Sequence, residues 1–76
     1  MLETNLAIAA LSQREKEIFE VLLKGLSYKE IADQHFISIN TVKTHTKSIY
    51  SKLGIKNRIE LLTVFREPML HNHPMG

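Results

Sequence analysis

The stretch "SYKEIADQHFISINTVKTHTKSIYSKLG", Ser27–Gly54, contains two helix starts separated by a short break, and this pattern decides the fold. Ser27 and Glu30 have the Ser-x-x-Glu spacing of a capping box, in which the hydroxyl and the carboxylate each bind an otherwise unpaired backbone N–H. They predict a helix of about two turns that ends near the break. Ser38 can cap a longer helix from about Ile39 to Leu53, which the following glycine stops. The stretch therefore predicts a short helix, a tight turn and a long helix.

A helix is also predicted on the N-terminal side. Ser12 and Glu15 repeat the capping box, and Gly25 provides the left-handed residue that ends a helix from roughly Gln13 to Lys24. Apolar residues recur within it at the three-to-four spacing of a core-facing stripe. These residues are Ile18, Phe19, Leu22 and Leu23. Inside the quoted stretch, Ile31, Ala32, Phe36 and Ile37 are expected to pack inward.

On the C-terminal side, Asn57 lies three residues before Glu60 and predicts a fourth helix that ends before Pro68. We expect three of its apolar residues to close the core over the helix that begins at Gln13: Leu61, Leu62 and Phe65. The predicted fold class is thus all-α, with a three-helix core and a further C-terminal helix. Residues 11–67 form the domain, 1–10 a linker, arm or frayed helix, and 68–76 a flexible tail.

The long helix has two different faces when its residues are placed at 100° intervals. The expected packed face consists of Val42, Ile49 and Leu53, with Thr46 and Ile39 beside them. The opposite face, within an arc of about 100°, contains Asn40, Lys43, Thr44, Lys47 and Ser51. Asn can bind adenine through two hydrogen bonds, Lys can donate to guanine, and Thr offers a hydroxyl and a methyl group. This face is therefore suited to the edges of DNA bases.

The distribution of charge supports the same interpretation. The net charge is only +2, but no Asp or Glu occurs between Ser38 and Arg58, whereas most acidic residues come earlier in the chain. Carboxylates in that segment would lie against DNA phosphates, which carry about one charge per 1.7 Å of duplex. A polar helix face is often only a solvated face. The short helix and tight turn before it make a DNA-binding helix-turn-helix the better explanation.

Composition excludes several classes of protein. The chain has 76 residues and no cysteine, so disulfides and thiolate metal sites are ruled out. Its carboxylates fit capping or surface positions, no Gly-rich phosphate loop occurs, and we expect neither an enzyme nor a cofactor. His71 and His73 provide fewer ligands than a structural zinc site requires, so we expect no metal site. No apolar run approaches the roughly 20 residues of a membrane span, and we expect a cytoplasmic protein.

From Leu11 to about Phe65 the sequence resembles the DNA-binding domain of LuxR/GerE-type transcription regulators, including the output domains of NarL-like response regulators. The resemblance rests on "LSQREKEI", "KEIA", "IS" at the turn, "TVKTH" and "KLGIKNR". It implies a four-helix domain that binds a two-fold promoter site as a dimer. The helix at 39–53 would enter the major groove, and the last helix would form the dimer contact.

The resemblance also implies roles for individual residues. Base contacts fall at Lys43, Thr44 and Lys47, to which the helix wheel adds Asn40. Expected contacts to the DNA backbone are Ser27, Lys29 and Thr41, together with the basic residues His45, Lys52 and Arg58. We expect Ile59 and Val64, on the flanks of the last helix, to form the dimer interface. RNA polymerase is a candidate second partner.

The sequence leaves some alternatives open. Tyr28, Phe36 and Thr44 depart from or vary within the family pattern, so the operator sequence cannot be inherited. A helix-turn-helix that has lost DNA binding would instead use the lysine face to bind an acidic protein. His45 is expected to be a partly buried structural residue rather than a pH switch. Either a fragment of a longer regulator or a stand-alone one fits the residues present.

Overall fold

A computed structural model of the chain describes the backbone of residues 2–71 and the side chains of residues 6–65. In this part of the chain the structure is all α-helical, with five helices and no strand. The helices are α1 Leu2–Ala9, α2 Gln13–Leu23, α3 Tyr28–His35, α4 Ile39–Leu53 and α5 Arg58–His71. The all-α prediction is confirmed, and α2 to α5 correspond to the four predicted helices.

The predicted caps are present at the helix starts. Ser12 and Ser27 both form complete capping boxes with the glutamates three residues later. Ser38 Oγ accepts a hydrogen bond from the Thr41 backbone N–H at 3.0 Å and begins α4. Asn57 Oδ1 accepts from the Glu60 N–H at 2.9 Å at the start of α5. These short-range bonds explain why the helix starts could be predicted from sequence.

The core lies between α2, α3, α4 and α5, and α4 packs against α1, α2 and α3. Buried apolar side chains of these four core helices and of the link before α2 meet there: Leu11, Ile18, Phe19, Leu22, Ile31, Ala32, Val42, Ile49 and Leu61. Phe65 packs its ring against the edge of Phe19, with 5.1 Å between the ring centres. Such an edge-to-face pair stabilises the fold beyond the area it buries. It joins α5 to α2, as the apolar spacing predicted.

The N-terminal segment is a helix where the sequence predicted a linker, an arm or a frayed helix. The structure places α1 over Leu2–Ala9 and packs Ile8 against the core. Leu6 and Ala9, which have the spacing of a helix face, are both exposed. A helix this short has little stability of its own, so contacts with the remainder of the fold are needed to stabilise it. Those contacts cannot be deduced from the segment alone.

Two inward-facing predictions at the turn are wrong. Phe36 is 92% exposed, and Ile39 is 41% exposed although it was placed beside the packed face. Phe36 is the C-cap of α3 in the left-handed conformation, which turns its side chain away from the core while Ile37 packs against it. Ile39 occupies the first position of α4. Apolar character alone could not reveal either orientation.

The C-terminal helix also differs from the prediction, because α5 continues through Pro68 to His71. A proline removes one helical N–H donor, but its fixed φ angle is close to the helical value, so a helix can continue through it at the cost of a hydrogen bond. Residues 68–71 are therefore helical, and the division of the chain into a domain and a flexible tail stays a prediction. The rest of the predicted tail, including His73, lies outside the described residues.

Helices α2 and α3 are joined by a polar contact that positions the turn. Arg14 Nη2 donates to the backbone carbonyl of His35 at 3.1 Å, and Arg14 Nη1 lies 3.1 Å from His35 Nδ1. The carbonyl belongs to the last turn of α3, where helix carbonyls lack partners within the helix. The contact thus anchors the end of α3 immediately before the turn into α4.

Candidate nucleic-acid interface

The predicted base-contacting residues lie together on an exposed face of α4. Asn40, Lys43, Thr44 and Lys47, which we call the polar face, are all exposed and all line one cleft of about 470 Å³. Within the part of the chain that the structure describes, neither lysine forms a salt bridge. The two ammonium groups are therefore available to a ligand outside the chain.

Local hydrogen bonds fix the first turns of α4. The hydroxyls of Ser38 and Thr41 lie 2.9 Å apart, and the Thr44 hydroxyl donates to the Asn40 carbonyl at 3.0 Å. The buried Thr46 hydroxyl donates to the Val42 carbonyl at 2.8 Å. The buried hydroxyl is thereby satisfied, and the polar face is presented from a helix whose inner side is firmly packed.

The start of α3 lies beside this face, because its first residue, Tyr28, lines the same cleft. Ser27 is exposed and caps α3 by accepting from the Glu30 N–H at 3.1 Å. Lys29 is exposed and pairs with Asp33 at 3.2 Å, with both side chains about three-quarters accessible. An ion pair this exposed is weak and can be exchanged for another anion. His45 is half-buried, as expected.

A cluster that the sequence did not reveal lies behind the cleft. Tyr28 and Tyr50 line the cleft, and the Arg58 guanidinium carbon lies 5.6 Å from the centre of the Tyr28 ring. Burial raises the pKa of Tyr50 to about 12, and the neighbouring Tyr28 adds to the rise. Two Arg58 nitrogens, Nε and Nη2, are buried. Arg58 is therefore a weaker candidate for phosphate contact than the exposed lysines.

Lys52, expected at the DNA backbone, is instead part of an internal ion pair. Its ammonium lies 2.8 Å from Glu15 Oε1, and Ser48 Oγ donates to Glu15 Oε2 at 2.6 Å. Glu15 is only 6% exposed. Its hydrogen bonds with Lys52 and Ser48 lower its pKa from 4.5 to about 2. The pair joins α2 to α4 and gives Lys52 a structural role, while its expected contact with the DNA backbone stays a prediction.

This ion pair had no local sequence signal. Glu15 and Lys52 are 37 positions apart, and the capping box was already sufficient to explain Glu15. In the structure one carboxylate performs both tasks, because Oε1 also accepts from the Ser12 backbone N–H at 2.8 Å. Only the packing of α2 against α4 brings the lysine to it.

The proposed dimer residues on α5 are exposed. Ile59 is 77% and Val64 43% exposed, while Leu61 on the same helix is fully buried. The structure thus places these two aliphatic side chains outside the core. Isolated exposed aliphatic residues are common, so exposure alone does not define an interface.

None of the described helices combines the length and apolar character needed to cross a bilayer. Among the described side chains, no group of three or more His, Cys, Asp or Glu residues is arranged to hold a metal ion.

A short helix, a tight turn and a longer helix with an exposed basic face define a helix-turn-helix domain. The family model for "Bacterial regulatory proteins, luxR family" matches residues 9–65, most of the chain. The chain belongs to this family, whose members are DNA-binding transcription regulators and not a class of enzymes. The family resemblance inferred from the sequence motifs is confirmed.

Similar curated proteins include the oxygen regulatory protein NreC of Staphylococcus aureus strains JH9 and JH1. Each is 46% identical to this chain over 52 residues, a match that covers 68% of the chain and 24% of the relative. The chain thus corresponds to about a quarter of the length of these relatives. No solved structure matches the chain significantly.

Proposed function

We propose that the chain binds a specific site in double-stranded DNA, with α4 in the major groove, and thereby regulates transcription. The observation that carries this proposal is the polar face itself. It consists of an asparagine, a threonine and two lysines that form no salt bridge with the described side chains, on a helix that follows a short helix and a tight turn. The major groove accommodates an α-helix and presents a distinct donor and acceptor pattern for each base pair.

The polar face can discriminate between bases. Lys43 and Lys47 can donate to guanine O6 and N7, and Asn40 can form paired hydrogen bonds with adenine. The Thr44 hydroxyl already donates to the Asn40 carbonyl, but its oxygen can still accept a hydrogen bond and its methyl group can contact thymine. The operator sequence depends on how these contacts combine.

Other residues would position the domain on the DNA backbone. We propose Ser27, Lys29, Thr41 and His45 as phosphate contacts, because they lie at the start of α3 or on the early turns of α4. Arg58, which has two buried nitrogens, and Lys52, which is paired with Glu15, are weaker candidates. Phosphate contacts fix orientation and contribute no direct sequence information.

Selection of bound duplexes from a random pool tests the proposal. We expect one enriched consensus, and an affinity for it that falls linearly with salt on logarithmic axes because bound cations are released from DNA. A helix-turn-helix that binds an acidic protein would enrich no consensus. Absence of any enriched sequence at low salt would overturn the proposal.

We further propose a two-fold dimer through α5. The exposed Ile59 and Val64 side chains support it, and it would place two recognition helices about one DNA turn, roughly 34–36 Å, apart. The contact is small, so a palindromic site that holds both copies close would favour the dimer. Replacement of both Ile59 and Val64 by glutamate should reduce cooperative binding to a full two-fold site and leave the affinity for a half-site unchanged. Equal loss on both sites would exclude α5 as the dimer contact.

The cellular context is also a proposal. The chain would act in the cytoplasm as the DNA-binding part of a regulator, and RNA polymerase is a candidate second partner. The NreC relatives are named for oxygen regulation. The match covers only part of them, so the signal to which they respond is not transferred to this chain.

A further inference from the structure

Phe36 has two unusual properties. It is the one non-glycine residue with positive φ in the part of the chain described, with φ 56° and ψ 44°, and its side chain is 92% exposed. Glycine or asparagine usually occupies this left-handed position after a helix, because a bulky side chain there is strained. The ring gains little from packing that could offset this strain. Strained residues of this kind cluster at functional sites.

The position of Phe36 points to the ligand. It lies two residues before Ser38, the cap of α4, and Ile39 at the first position of α4 is also exposed. Ile39 precedes Asn40 and lies one helical turn before Lys43, so the apolar residues border the polar face. Phe36 and Ile39, which we call the apolar edge, therefore lie at the end of α4 that would enter DNA.

We propose that the apolar edge contacts nonpolar atoms of the duplex, either thymine methyl groups or deoxyribose carbons, and contributes to site preference. This inference rests on the proposed DNA-binding function. DNA is favoured over a protein partner because the segment from 37 to 57 contains no carboxylate and includes Lys43 and Lys47 of the adjoining polar face. Thymine is the base whose major-groove edge carries a methyl group, a known partner of apolar side chains.

The Phe36→Asn variant separates this role from a structural one. Asparagine tolerates the left-handed conformation, so the melting temperature should rise by about 4 °C or more. Affinity for the selected duplex should nevertheless fall about tenfold, because apolar contact is lost. The control variant is Leu6→Ala, which removes an exposed apolar side chain of a different helix, α1. It should leave DNA affinity unchanged.

Replacing each thymine of the selected duplex by deoxyuridine distinguishes the two sources of nonpolar surface. If Phe36 contacts a methyl group, that replacement should weaken wild-type binding about fourfold more than it weakens binding by Phe36→Asn, which keeps any thymine contact of Thr44. If it contacts deoxyribose, Phe36→Asn should weaken binding to both duplexes equally. Either result supports the apolar edge and assigns it to particular atoms.

Other results would overturn the inference. Wild-type affinity in Phe36→Asn, with binding still dependent on Lys43, would refute the apolar edge and retain the proposed function. A lower melting temperature in Phe36→Asn would show that the ring stabilises the fold. If the wild type enriched no duplex at all, the proposed function and this inference would fail together.

Discussion

The two ends of α4 use the same residue type in opposite ways. Near its start, Lys43 and Lys47 project from an exposed face and form no salt bridge within the described residues. Near its end, Lys52 lies 2.8 Å from the buried Glu15 carboxylate and joins α4 to α2. All three lysines lie in the same acid-free segment of sequence.

This difference shows that the role of a lysine depends on what the fold places beside it. A buried carboxylate needs a partner, because an unpaired charge in the interior is costly. Lys52 meets that need, whereas the lysines of the polar face remain available to an external anion. One end of the helix stabilises the domain, and the other is proposed to bind DNA.

The largest effect on the free energy of unfolding is expected from a substitution on the packed side of α4. Ile49→Ala should lower the free energy of unfolding by about 2–5 kcal/mol, because Ile49 is fully buried in the core. Ser51→Ala, at an exposed position of the same helix, should change it by less than about 0.5 kcal/mol. Urea unfolding of both variants measures the contrast. Equal urea midpoints for Ile49→Ala and Ser51→Ala would show that the packed and exposed faces of α4 are wrongly assigned.

The next effect tests the Glu15–Lys52 pair. Because folding lowers the Glu15 pKa from 4.5 to about 2, the stability it provides is fully present above pH 4.5 and is lost as the pH falls through about 2. Glu15→Gln should therefore lower the free energy of unfolding by about 2 kcal/mol near pH 7, and the difference from wild type should shrink on acidification.

A pH series of urea unfolding curves measures this change. Glu20→Gln is the matched control, since Glu20 is exposed on the same helix. It should change stability by less than about 0.5 kcal/mol at any pH. A Glu15→Gln deficit that stayed constant from pH 7 to acid would mean that the pair is not the source of the stabilisation.

A smaller effect is expected at the start of α3. Lys29→Ala should weaken binding to all duplex sequences alike and lower the slope of log affinity against log salt by about one unit, because a phosphate contact has no base preference. Binding isotherms at several salt concentrations on selected and unrelated duplexes measure both quantities. A change confined to the selected sequence would instead place Lys29 at a base.

Much of the fold could be predicted because its signals are local. The capping serines lie three residues from their partners, and Gly25 and Gly54 have the positive φ angles expected where helices end. The alternation of buried and exposed residues on α4 follows directly from helical spacing. The exposed orientation of Phe36 depends on the conformation of a single cap residue, which apolar character does not specify.

The candidate site was predicted less completely, because part of it is formed by distant segments. The polar face is contained within one helix and could be identified from its spacing. By contrast, Tyr28 and Tyr50 line the cleft only because α3 packs against α4. The pairing of Lys52 with Glu15 likewise requires α2 to lie beside α4. Neither arrangement has a signature in contiguous sequence.

The contrast between the two ends of α4 is tested most directly by Lys43→Met and Lys52→Met, under conditions where both variants are folded. Selection from a random pool gives the consensus of each variant, and binding to one selected duplex at several salt concentrations gives its affinity and salt slope. Lys43→Met should lose about tenfold to a hundredfold in affinity and alter the enriched consensus. Lys52→Met should retain the consensus and the salt slope and show a lower free energy of unfolding. An unchanged consensus and affinity in Lys43→Met, with a reduced salt slope in Lys52→Met, would contradict the assignment of DNA binding to Lys43 and of a structural role to Lys52.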